Sequence, residues 1–195
     1  MHLTDAVLAP LRERYGEPRP LRWDGEVTAQ ELALAGSSPE RRHDVTFFVF
    51  EPGGRLALIQ KPSYPEGVWR PPGGGVKPGE QFERGVQREA REELGVHIEL
   101  ERFLVSSEAT FRGPDGTIDW RTHVFSARTD EELLDPVDTH EISAARWGTA
   151  DELAGPIRAR LLETGRALWR YRVALHDAAL AALSDGPGTV PGTRL

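Results

Sequence analysis

The segment from Gly73 to Val96, GGGVKPGEQFERGVQREAREELGV, constrains this chain more than any other. Its first part cannot join a regular element: Gly73, Gly74, Gly75, Pro78 and Gly79 place Pro71 to Gly79 in a loop. From Glu80 onward the residues favour helix, with Glu80 near the positive end of the dipole and Gly95 as the C-terminal stop. Glu89, Glu92 and Glu93 stand at i, i+3 and i+4 and therefore share one helix face. Like charges at that spacing repel, by roughly a few tenths of a kcal/mol per pair. Two arrangements relieve the repulsion. The glutamates hold a hard divalent cation, or they form a solvated face answered by Arg84, Arg88 and Arg91.

The spacing is more specific than the charge. Gly74, five residues, Glu80, seven residues, and then Arg88-Glu89-Ala90-Arg91-Glu92-Glu93-Leu94-Gly95-Val96 resembles the Nudix box, G-x5-E-x7-R-E-U-x-E-E-x-G-U with U a bulky aliphatic. Ala90 is the one departure, a small residue where a larger aliphatic is usual. The resemblance implies an α/β fold, an α/β/α sandwich with a mixed β-sheet. It also implies hydrolysis of a nucleoside diphosphate linked to another moiety X, assisted by Mg²⁺ or Mn²⁺. Carried over by position, Glu92 and Glu93 match the principal metal ligands and Glu89 lies in the same cluster. Arg88 and Glu80 match a pair that orients loop and helix, framed by Gly74 and Gly95. Bound metal would let an acidic protein hold an anionic pyrophosphate.

The remaining chain sets limits. At 195 residues it suffices for one domain with a sizeable core. A net charge of −7 disfavours nucleic acid as a partner and leaves a small phosphorylated nucleotide as the expected one. There is no cysteine, so thiolate zinc sites and cysteine nucleophiles are excluded. Lysine occurs only at Lys61 and Lys77, in a chain otherwise rich in arginine. The N-terminus has no secretory pattern, and no run of apolar residues suits a membrane span, so a cytoplasmic protein without membrane contact is expected. Residues 1–40 read as an N-terminal extension packed on a domain over 41–184, followed by a flexible tail over 185–195. In some families of the resembled type such an extension joins a homodimer interface or covers substrate.

Along the chain, Leu3 to Tyr15 has a helical rhythm, weakened by Pro10 and broken by Pro18 and Pro20. Trp23 to Ala35 reads as strand or short helix. Val45 to Phe50 is a buried strand, and Arg55 to Gln60 returns as its hairpin partner across Pro52-Gly53-Gly54. Trp69 either stacks on a nucleobase or closes the core. Tyr64 and Arg70 are exposed candidates for substrate contact, and Lys77 is a candidate for phosphate. Two strands follow, over 97–107 and 119–127, about the turn Gly113 to Gly116. His123 is a metal or acid/base candidate or a hydrogen-bonded core histidine. In the acidic stretch from Thr129 to Ser143, Glu141, then Asp138, are the carboxylates from which the resemblance implies a further ligand or general base. Thr149 and Glu152 form a capping-box signature, and a last helix runs from Pro156 to Leu183 unless Gly165 divides it.

The catalytic residues expected are Glu93, Glu92, Arg88 and Glu141, with Glu89, Glu92, Glu93 and Glu141 on metal. A nucleotide sensor without turnover and a structural metal-binding protein are the competing readings. The intact set of box carboxylates favours the hydrolase.

Overall fold

The computed structural model describes residues 3–38 and 41–186. Its elements are α1 (Asp5–Tyr15), β1 (Arg19–Glu26), α2 (Ala29–Ala35), β2 (His43–Phe50), β3 (Leu56–Gln60), β4 (Gly73–Gly74), α3 (Phe82–Leu94), β5 (Glu99–Gly113), β6 (Gly116–Arg128), β7 (Ala144–Gly148), α4 (Ala150–Glu152), α5 (Arg158–Glu163) and α6 (Ala167–Ser184). A π-helical turn, Leu153–Ile157, joins α4 to α5.

Strand β2 sets the layering. Because successive strand side chains face opposite ways, Val45, Phe47 and Val49 enter one core while Phe48 enters another. The first core is closed by Leu8 and Leu11 of α1 and by Phe82, Val86, Ala90 and Leu94 of α3. The second is closed by Leu32 of α2 and by Val173, Leu175 and Ala179 of α6. Helices thus cover both faces of the sheet, an α/β/α sandwich. Phe47 and Phe48 are both fully buried, one in each core.

The sheet is mixed, in the order β1-β5-β6-β2-β3-β7. Its centre is a long antiparallel hairpin of β5 and β6 closed by Gly113 opposite Gly116, with β1 parallel to β5 and β2 parallel to β6. Pro20 is accommodated because β1 is an edge strand. The ambiguous 23–35 region resolves into both elements: Thr28 and Glu31 form a reciprocal capping box that starts α2 after the strand ends.

The expected β2–β3 hairpin forms only at its closed end, where Phe50 faces Leu56. Beyond that pair the strands part, and the segment leading into the glycine loop fills the gap. Ile59 and Arg70 exchange backbone hydrogen bonds at 2.8 and 3.1 Å, and Phe47 N–H donates to Pro72 O at 2.9 Å. Strand β3 then pairs along its length with β7. Helix α3 starts at Phe82, two residues after the expected Glu80, because Glu80 turns back to bind Arg88. Phe82, Val86, Ala90 and Leu94 recur every fourth residue as the buried stripe, and Ala90 is 0% exposed there. Gly95 ends the helix at φ +77, where an added Cβ would lie 2.0 Å from Asp135 O. The last helix is divided, as Gly165 allows: α5 stops before it and α6 begins at Ala167. Of the tail expected over 185–195, residues 187–195 lie outside the described residues.

Two core histidines link this packing to pH. His176 stands edge-on to Phe48, 6.1 Å between centroids, and neither ring nitrogen has a hydrogen-bond partner among the described residues. Burial holds its pKa well below the ordinary value, and burial, with His43, lowers His123 to about 3. In the folded chain both stay neutral where the unfolded chain takes up protons. Their stabilisation is therefore present above about pH 6.5 and falls away below it, for His123 as the pH drops toward about 3. Urea unfolding between pH 6.5 and 4.5 should reveal it: His176→Leu should reduce the slope of stability against pH by up to about 1.4 kcal/mol per unit. An unchanged slope would contradict the burial argument.

Candidate active site

Arg88 organises the junction of loop and helix. Its Nε and Nη2 donate to the two carboxylate oxygens of Glu80, both at 2.9 Å, a bidentate fork. Nη2 also donates to Gly75 O at 2.9 Å, fixing the loop backbone. Nη1 reaches Glu89 Oε1 at 2.8 Å and Glu92 Oε2 at 2.9 Å. The Glu80 bonds, reinforced by Glu89 against some burial, hold the guanidinium above its ordinary pKa, and the same fork holds the Glu80 carboxyl below its own. Glu89 behaves differently. Burial pushes its carboxyl up despite Arg88, with Glu93 and Asp44 adding repulsion.

Glu93 is more deeply set, 3% exposed. Its Oε2 accepts the Gly73 N–H at 2.6 Å, and its Oε1 lies 3.4 Å from Arg70 Nη2 and 3.2 Å from Lys61 Nζ. Lys61 Nζ also donates to Glu141 Oε2 at 2.8 Å, tying the segment before β7 to the glutamate helix. Burial and Arg70 press the Lys61 pKa down, but Glu93 and Glu141 outweigh them, so it stays a cation. Asp138 Oδ1 accepts the backbone N–H groups of His140 and Glu141, both at 3.0 Å, which positions Glu141 at the rim. Glu89, Glu92, Glu93, Asp138 and Glu141 all line one cavity of about 490 Å³.

The close approach of loop to helix requires glycine at one position in particular. A Cβ on Gly74 would come within 2.1 Å of Glu89 Oε2. Gly74→Ala should therefore displace the Glu89 carboxylate while sparing the backbone, lowering turnover by about tenfold or more with little change in Tm. Steady-state kinetics beside a melting curve checks it, and unchanged kinetics would show that Glu89 is not placed by this contact.

The other candidates divide. Tyr64, which is half-buried rather than exposed, and Lys77 line the cavity. Arg70 also lines it but is not exposed: it is 4% accessible, with Nε on Tyr64 Oη at 2.6 Å and Nη1 on Pro71 O at 2.8 Å. Its burial opposes the charge, but Tyr64 and Glu93 outweigh that and raise its pKa. Arg70 is thus a fixed counter-charge to Glu93. Trp69 is outside the cavity lining. It packs against the core on the α6 side, with the Arg146 guanidinium 4.7 Å from its ring, so it closes the core. His123 is 1% exposed, bonded through Nδ1 to Ser106 Oγ at 3.2 Å and set edge-on to Phe103, away from the carboxylates. Three lining residues had no role in the sequence reading: Arg41, Asp44 and Lys61. Both of the chain's lysines border this cavity.

The NUDIX domain family model matches residues 40–168, more than half of the chain and the whole of this cavity's lining. The chain belongs to the NUDIX family. It is similar to human 8-oxo-dGDP phosphatase NUDT18, 36% identical over 96 residues that cover 48% of this chain and 27% of that protein. It is similar as well to CTP pyrophosphohydrolase of Escherichia coli (strain K12), 31% identical over 72 residues, 36% of this chain and 53% of that one. The chain thus matches less than two thirds of either relative's own length. Among solved structures, the E. coli ORF135 protein aligns with 77% of this NUDIX chain and 98% of its own at 19% identity and a TM-score of 0.48.

The cavity suits a hard cation by its donors. Five carboxylates line it beside Asp44, with no imidazole or thiol among the lining residues. Oxygen donors of this kind suit Mg²⁺ and Mn²⁺. Burial raises the pKa of Glu89, with Glu93 and Asp44 adding repulsion, and a cation held here would favour its charged form. Among the described residues no three carboxylates meet at a common point. Arg88 stands between Glu89 and Glu92, and Lys61 between Glu93 and Glu141.

Proposed function

We propose that this chain is a divalent-cation-dependent hydrolase that cleaves the phosphoanhydride bond of a nucleoside diphosphate linked to another moiety. The observation that carries the reading is the convergence of the box carboxylates with Glu141 on one cavity bordered by Lys61, Lys77 and Arg41. Glu89, Glu92, Glu93 and Glu141 are the residues that would hold Mg²⁺ or Mn²⁺. When bound, such a cation screens phosphate charge and acidifies water.

The chain's own groups divide the remaining work. Lys61, Lys77 and Arg41 attract and orient the anionic phosphates. Arg88 holds loop and helix in register, and Arg70 with the Gly73 N–H fixes the Glu93 carboxylate. Glu141 is the more accessible carboxylate, its side chain 66% exposed against 4% for Glu93. The oxygen that Lys61 leaves free takes the proton from the attacking water, while the Lys61 ion pair to Oε2 holds the carboxylate in place. The substrates named for the NUDIX relatives, 8-oxo-dGDP and CTP, support a small nucleotide as the substrate class.

Product release over a panel of NTPs, dNTPs, oxidised guanine nucleotides, ADP-ribose, sugar nucleotides, NADH and dinucleoside polyphosphates, in Mg²⁺ and separately in Mn²⁺, tests the reading. Turnover of one class that disappears with EDTA is expected. No turnover on any of them, with nucleotide still raising the Tm, would overturn it in favour of a sensor.

A further inference from the structure

The acidic cavity does not end at the phosphate site. Lys61 and Tyr64 also form one wall of a second cavity, about 670 Å³, whose other walls come from α2 and α6. Its lining is more apolar than polar and includes Leu34, Leu168 and Trp169. The two helices are clamped together there by one buried carboxylate. Glu31, 4% exposed, accepts the Thr28 N–H at 3.1 Å through Oε2 and the Leu168 N–H at 3.1 Å through Oε1. One turn on from Glu31, Leu34 stands 59% exposed at the cavity edge, a large apolar side chain left in water. Across from it, the Trp169 ring meets Tyr64 edge-on, 4.9 Å between centroids and 89° between planes. Arg166 and Arg172 add positive charge to the lining.

The volume lies within the roughly 300–1,000 Å³ of small-molecule sites. Aromatic rings, two leucines and cationic side chains suit a flat, polarisable group carried by an anion. We propose that this α2–α6 cavity receives the nucleobase of the substrate, with Trp169 and Tyr64 as the aromatic walls, Leu34 as the apolar edge and Lys61 at the junction with the phosphates. The N-terminal helix α2, outside the NUDIX match at residues 40–168, then helps choose the nucleoside. The assignment deepens the nucleotide reading above and rests on it for the identity of the ligand.

Calorimetric binding of AMP, GMP, CMP and UMP, compared with ribose 5-phosphate in metal-free buffer, isolates the base from both metal and turnover. At least one nucleotide should bind about tenfold tighter than ribose 5-phosphate, the size expected of one stacked base. Trp169→Ala should remove most of that preference. Leu34→Glu, at a solvent-exposed position that folding does not need, should weaken it several-fold while leaving ribose 5-phosphate affinity within about twofold. Equal affinities for nucleotide and sugar phosphate, no measurable nucleotide binding, or a preference untouched by Leu34→Glu and Trp169→Ala alike would overturn the proposal. Any of these could occur in an active hydrolase, so the failure is separable. A base preference without turnover of any substrate would instead sink the hydrolase reading and leave the base site standing.

Discussion

Glu93→Gln should lower kcat by at least about a hundredfold while the protein stays folded. Gln keeps an oxygen to accept the Gly73 N–H, so the loop contact at 2.6 Å survives. What the substitution removes is the negative charge that Arg70 and Lys61 converge on. Buried Arg70 then faces a neutral amide and Lys61 keeps only Glu141, so a Tm lower by a few degrees is also expected. Turnover within a factor of a few of wild type would remove Glu93 from the catalytic set.

Arg88→Ala should have the largest effect on stability. The side chain is 21% exposed and serves Glu80, Glu89, Glu92 and the Gly75 carbonyl at once. Its loss leaves three carboxylates facing one another and unties the loop from the helix. A cost of about 2–4 kcal/mol is expected, between that of a surface pair and that of a fully buried one. Arg88→Lys should rescue little, because an ammonium cannot span both oxygens of Glu80 and reach Gly75 O as the fork does. Denaturant midpoints of the two variants test this. A Lys variant as stable as wild type would mean that net charge, not fork geometry, holds the site.

Much of this site was readable from local patterns because its constraints are local. Gly95 had to stop a helix, and Glu80 and Arg88 fell at a fixed spacing that the fold turns into a bidentate pair. Thr149 and Glu152 sat at capping-box distance, and the structure makes both reciprocal bonds. Glu141 and Asp138 came from the resemblance, and they border the same cavity as the helix glutamates. What was not legible depends on contacts distant in sequence. Arg70, beside two prolines, reads as a solvent-facing residue, yet its counter-charge Glu93 lies across the fold and makes burial tolerable. For Trp69 base stacking and core closure both stood open, and the residue that covers its ring, Arg146, lies far along the chain. The parting of β2 and β3 follows from the loop inserting between them, which no hairpin pattern encodes. The α2–α6 cavity needs Glu31 to reach the Leu168 N–H, a bond between segments with no shared motif.

The measurement that tests the central claim most directly is hydrolysis in ¹⁸O-labelled water with Mg²⁺, using the panel substrate turned over fastest and mass analysis of the products. Attack of water on phosphorus at the glutamate cavity predicts one label on a product phosphate, formed only with the divalent cation and lost with Glu93→Gln. Cleavage that places the label on a sugar carbon, or that continues undiminished in EDTA, would contradict the account.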